Sequence, residues 1–244
     1  MKKIIFSGIL FIISLVLCAG ATFVYGGIIP LQTPSKGAFP VRGIDVSSYQ
    51  TDIDFYAVAK QGIDFVFIKA TEGSNHSDRY FAQNLENANR AGLRTSAYHF
   101  FSFDSAPRTQ AVNFISKVPM DEISLPPVID FEFYGQYYDK NLPNIEDARR
   151  SLSQMSYILE QHYGVRPIIY CDEKMYETFL AGQEEFADNP IWIRNIFTEP
   201  KMPSDGREWT FWQYSNRALL NGIKGHVDMN VFWGSREEFD ALVR

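Results

Sequence analysis

The sequence predicts an α/β fold closed into a small (β/α) barrel, and three observations carry that reading. From Val41 onwards, short β-rich runs alternate with helical patterns. The runs are apolar along their length, as strands covered on both faces are. About eight of them fit into roughly 200 residues, which suits a closed barrel better than an open sheet.

The first run, VRGIDV (41–46), carries Asp45 near its end, and IDFVFIKA (63–70) leads into Thr71-Glu72-Gly73. LRTSAYHF (93–100), PPVIDFEF (126–133), VRPIIY (165–170), NPIWI (189–193), EWTFWQY (208–214) and HVDMNVFW (226–233) follow. The clearest helix is NIEDARRSLSQMSYILEQHYG. Asn144 is its expected N-cap, Ile145, Ala148, Leu152, Met155 and Leu159 its apolar stripe, and Gly164 its stop. A second helix, RYFAQNLENANRAG, stops at Gly92. In Asp52-Ile53-Asp54 the two acids read as a helix-start cap. No internal repeat or low-complexity segment interrupts the pattern.

The N-terminus reads differently. After Lys2 and Lys3 no charged residue occurs until Lys36, and the stretch between is apolar through Leu31. Two positive charges before an apolar core are the pattern of an export signal, and Ala19-Gly20-Ala21 supplies small residues for cleavage. The apolar stretch continues past that point, long enough to span a bilayer, which takes about 20 residues. Residues 1–27 are therefore expected to be a signal anchor or a signal peptide, residues 28–40 (with three prolines) a linker, and 41–244 the catalytic barrel. Either form of the segment places the barrel outside the cytoplasm, membrane-anchored or secreted.

Composition excludes some classes. A net charge of −6 with no Lys/Arg block argues against nucleic-acid binding. Cys18 lies in the apolar segment and Cys171 in the barrel, so no intradomain disulfide is available. Cys171 has no nearby His and reads as a packed small residue.

Within the barrel, polar residues gather where strands end, which is where β/α barrels place their chemistry. Asp45, Glu72, Tyr98, His99, Asp130, Glu132, Gln213, Tyr214 and Asp228 all follow that rule. Residues two apart on a strand share a face, so Asp130 and Glu132 of the D-x-E point into one cavity. Asp45 and Asp228, from the first and last strands, would close the barrel beside them. Four acids in one mouth cannot all ionise cheaply, and a raised carboxyl pKa suits a general acid. Each piece also has a plainer reading. Acids at strand ends commonly cap loops, His99 reads as a hydrogen-bonded core residue, and Trp192, Trp209, Trp212 and Trp233 could be core.

GIDVSSYQ (43–50), FIKATEG (67–73), AGLRTSAYHFF (91–101), LPPVIDFE (125–132) and WQYSNRALLNGIKGHVDMNVF (212–232) together resemble the glycoside hydrolase family 25 lysozymes, the Chalaropsis-type N-acetylmuramidases. The resemblance runs over essentially all of 41–244. It implies a flattened, irregular TIM-like (β/α) barrel with the active site at the C-terminal ends of its strands. It also implies hydrolysis of the β-1,4 bond after N-acetylmuramic acid in peptidoglycan. The family's acids correspond to Asp45, Asp130, Glu132 and Asp228, and its substrate-contacting tyrosine to Tyr98. Glu72, Gln213, Tyr214 and Trp192 complete the candidate substrate contacts. Thr51 departs from the family, which usually has Pro, Gly or Glu there.

Glu132, nearer the mouth, is the expected general acid. Asp130 sits too close beside it to be a separate water-activating base, because inverting enzymes hold their carboxyls about 6.5–9.5 Å apart. It would instead orient the substrate's 2-acetamido group for attack on the anomeric carbon, with retention of configuration, while Asp45 and Asp228 hold the network. Direct attack by Asp130 remains the competing mechanism. The expected partners are glycan strands and, through the N-terminal segment, a membrane, with the barrel acting as a monomer without cofactor or metal. Two rival functions are a membrane-tethered peptidoglycan-binding protein and a Mg²⁺-dependent phosphodiesterase using the acids as ligands. The four His residues (76, 99, 162 and 226) form no zinc-binding pattern.

Overall fold

The computed structural model describes residues 31–138 and 141–243, with isolated positions between 10 and 26. Eight strands close into a barrel: β1 (Arg42–Val46), β2 (Phe65–Glu72), β4 (Arg94–Phe100), β5 (Val128–Asp130), β6 (Ile168–Asp172), β7 (Ile191–Arg194), β8 (Phe211–Ala218) and β9 (Val227–Phe232). A two-residue β3 (His76–Ser77) pairs with the end of β2. Neighbours are parallel from β1 through β8, whereas β9 runs antiparallel to both β8 and β1 and closes the ring.

Helices pack outside: α1 (Phe55–Ala59), α2 (Phe81–Arg90), α3 (Pro107–Ile115), α4 (Ile145–Tyr163), α5 (Glu173–Met175) and α6 (Arg236–Leu242), with a π-helical turn (Tyr176–Leu180) continuing α5. Their ends follow the sequence signals. Asn144 accepts from the Asp147 N–H at 3.0 Å to start α4, and Gly164, at φ 72°, stops it. Ala148, Leu152, Met155 and Leu159 are buried, while Ile145, in the first turn, is exposed. Asp54 caps α1 by accepting from the Ala57 N–H at 3.0 Å. Asp52 instead accepts from the Gln83 side chain.

Strand alternation sorts the apolar residues into two layers. Ile44, Val66, Ile68, Ile169, Cys171 and Ile193 face the helices. Phe65, Phe67, Val128, Ile168, Tyr170, Trp192, Phe211 and Phe232 fill the barrel interior. Gly43 belongs to the inner set for a steric reason. A Cβ there would lie 2.3 Å from the Phe65 ring, so the glycine gives that ring its space.

No helix lies between β7 and β8 or between β8 and β9 among the described residues. Large aromatics and the segment before β1 cover that side. Phe39 is buried against Trp209, Trp212 and Trp233, with centroids 5.7–6.2 Å away. Arg42 donates to the Pro34 carbonyl, and the Gln32 amide donates to the carbonyl of Phe197. The stretch read as a linker is packed on the barrel from about Gln32 onwards. Most of the apolar N-terminal segment lies outside the described residues. Among the described residues no helix is long and apolar enough to cross a membrane.

Candidate active site

Above the aromatic filling, the inward positions of the same strands turn polar. Asp45 of β1, Lys69 of β2, Tyr98 of β4, Asp130 of β5, Gln213 of β8 and Asp228 of β9 line a cavity of about 270 Å³ at the barrel mouth, together with Glu132. Asp228 is the second residue of its strand, yet it reaches the mouth because β9 runs antiparallel, its first residues at the end where the other strands finish. It stands directly opposite Asp45 in the β1–β9 register. β5 ends at Asp130, so Glu132 follows in irregular backbone. Tyr134, two residues on, holds that segment by accepting from the Phe103 N–H at 2.8 Å and donating to Asp104.

Two amides order the acids. The Trp192 indole can only donate, and it gives its N–H to Asn230 Oδ1 at 2.8 Å. The Asn230 NH₂ therefore faces Asp45 Oδ2, at 2.8 Å. The Tyr170 hydroxyl donates to Gln213 Oε1 at 2.9 Å, which turns the Gln213 NH₂ toward Asp45 and Asp228, at 2.9 and 3.1 Å. Asp45 and Asp228 stand opposite each other, and their interaction favours the charged form of Asp45 and the neutral form of Asp228.

Burial governs the electrostatics. It pushes Asp45 up to about 6 against the pull of the Asn230 and Gln213 bonds. Asp228 is raised by burial and by the Asp45 charge. Burial lifts Glu132 to about 7, opposed chiefly by the Arg194 guanidinium. Asp130 is raised by burial and then by the Glu132 charge. Its Oδ1 is buried and has no hydrogen-bond partner among the described residues.

Several candidates fall elsewhere. Tyr214 follows Gln213 on β8, and adjacent strand residues face opposite sides. It lies on the outer face, packed on Trp212, its hydroxyl accepting from Arg42 at 3.3 Å. Glu72 does not line the cavity; it is joined to Lys69, which does, by a 2.7 Å ion pair. Trp192 does line the cavity, as part of its floor, though it is almost fully buried and its N–H is committed to Asn230. His99 is a core residue. Its Nε2–H donates to Gln110 and its Nδ1 accepts from the Thr71 hydroxyl, with burial lowering its pKa to about 4. Cys171 is buried on the outer face of β6. Lys69, Tyr170, Asn230 and Arg194 escaped notice in the sequence. All four follow the inward period of their strands: Lys69 after Phe65 and Phe67, Tyr170 after Ile168, Arg194 after Trp192, Asn230 after Asp228.

A closed α/β barrel whose mouth holds buried, partly protonated carboxyls beside a D-x-E is the architecture of a glycoside hydrolase. Comparison with known proteins makes the class definite. Residues 44–223 match the family described as Glycosyl hydrolases family 25. A family 25 glycosyl hydrolase from Bacillus anthracis has a similar structure, with TM-score 0.78 and 46% identity over 84% of this chain and 94% of its own. A bacterial lysozyme from Streptomyces coelicolor gives TM-score 0.76 and 32% identity over 83% and 96%. Lysozyme M1 of Streptomyces globisporus is 33% identical over 215 residues, covering 83% of this chain and 71% of that protein. The chain belongs to glycosyl hydrolase family 25.

Proposed function

We infer that this glycoside hydrolase is a 1,4-β-N-acetylmuramidase, cleaving peptidoglycan between N-acetylmuramic acid and N-acetylglucosamine. The observation that carries the mechanism is the pairing of Glu132, protonated into the neutral range, with an adjacent buried Asp130 oxygen that lacks a donor. A buried acceptor without a partner is costly, and the acetamido N–H of the substrate is the donor that would satisfy it. Glu132 gives its proton to the leaving glycosidic oxygen while the acetamide carbonyl, aligned by Asp130, attacks the anomeric carbon. The cyclic intermediate is then opened by water, which returns its proton to Glu132. Two displacements at one carbon retain its configuration. Asp45 and Asp228, locked by Gln213 and Asn230, keep the surrounding field negative and Glu132 protonated. Tyr98 contacts substrate in the cavity.

The lysozyme relatives support action outside the cytoplasm. The apolar run behind Lys2 and Lys3 supports delivery there, and we assign it the role of holding the enzyme, as a monomer, at the membrane. Incubating the purified enzyme with sacculi, reducing the products with borohydride and identifying the terminal sugar tests the activity. Muramitol ends are expected, and glucosaminitol ends or no release would refute it.

A further inference from the structure

Among the aromatic residues that line the mouth of the barrel, the chemistry above leaves Phe100 and Tyr49 unused, and Tyr49 is the one that stands in water. Tyr49 follows β1 and lines the same cavity as the acids, yet 89% of it is exposed. Exposure on a loose loop would mean little, but this loop is tied to two neighbouring segments and braced within itself. Asp78, itself buried, accepts the Ser48 N–H at 2.8 Å and the Tyr80 N–H at 2.9 Å, tying the loop to the start of α2. Gln50 accepts the Ser47 N–H at 2.9 Å and donates to the His226 carbonyl at 3.2 Å, tying it to the hairpin before β9. Ser47 accepts the Tyr49 N–H through its hydroxyl at 3.3 Å. Thr51 completes the turn at φ 55°, a left-handed conformation that a β-branched residue adopts at a cost. The fold therefore spends hydrogen bonds and strain to hold an aromatic ring in water at the edge of the cleft.

We propose that Tyr49 is a substrate-binding platform on which the apolar face of a pyranose ring stacks, one sugar away from the cleaved bond, and that Asp78 is the positioning residue that holds it there. This rests on the muramidase reading for the identity of the polymer. A tyrosine on a fixed backbone has only two side-chain torsions to lose on binding, and its ring would grip the strand without touching the reacting atoms. Its contribution belongs in binding rather than in the chemical step.

The test compares soluble glycan strands stripped of peptide with the same strands carrying peptide. Tyr49→Ala is expected to raise KM about three- to tenfold on both, the size of one aromatic contact, with kcat unchanged within about twofold. Tyr49→Phe and Tyr49→Trp should restore the wild-type KM. Asp78→Ala should raise KM similarly, and the double variant should be no worse than the single ones. Unchanged KM in Tyr49→Ala overturns the proposal, and a rise confined to peptide-bearing strands overturns the sugar assignment. Calorimetric titration of a tetrasaccharide into Glu132→Gln, with and without Tyr49→Ala, separates this inference from the muramidase reading. Tyr49-dependent binding without cleavage by the wild type would sink only the latter.

Discussion

Trp192 and Asn230 are joined by a 2.8 Å hydrogen bond that decides which way the Asn230 amide faces, and hence whether Asp45 receives a donor or meets an acceptor. Trp192→Phe keeps the aromatic filling and removes that instruction. The expected result is a fall in kcat with KM unchanged, and a loss of about 1–3 kcal/mol in denaturant unfolding for the unpaired buried carbonyl. A rise in KM alone would make Trp192 a substrate contact rather than a positioning residue.

Glu132→Gln should lower kcat by about 10²–10⁴, because the amide cannot give the proton. It should also stabilise the fold at alkaline pH. Burial lifts Glu132 from its ordinary 4.5 to about 7, so between those values the folded chain keeps a proton that the unfolded chain has released. That group's contribution to stability therefore falls as pH rises through the window. Thermal unfolding should show the variant above wild type at pH 8 and equal to it near pH 4.

The same lifted carboxyl sets a limb of the rate profile. kcat/KM is expected to fall above about pH 7 as Glu132 loses its proton. Initial rates from pH 4 to 9 check this, and a flat rate from pH 6 to 9 would remove Glu132 as the acid.

Asp130→Asn should leave binding intact and lower turnover sharply, since a neutral amide cannot polarise the acetamide. NMR of the anomeric proton directly after cleavage should show retention. Inversion would point to activated water, and a covalent adduct on Asp130 in quenched enzyme would make it the nucleophile.

Phe39 supplies a prediction away from the site. Phe39→Ala opens the cluster with Trp209, Trp212 and Trp233. It should cost about 3–5 kcal/mol in unfolding while leaving kcat and KM unchanged.

The strand runs, the helix ends at Asn144, Gly164 and Gly92, and the four mouth acids were readable because each has a local signature: a period, a cap or a motif. What was missed depended on pairing between distant strands. Nothing near Asp228 announces that β9 runs backwards, which is the reason an acid at the start of a strand reaches the mouth. Tyr214 was readable too, since Gln213 and Tyr214 cannot share a face of one strand. Phe39 could not be assigned from a proline-rich segment, because its partners lie almost the whole chain length away.

Asp45 and Asp228 face each other across the seam where the first and last strands meet. A slip of one residue along that seam would turn Asp228 to the outer face. Zipping the seam and arming the enzyme are thus a single event, and it is the most distant pairing in the barrel. A chain still being made, with β9 not yet delivered, holds the D-x-E but lacks half of the acid pair. Until that last strand arrives the cavity lacks one of its walls, and Asp45 has no carboxyl opposite it.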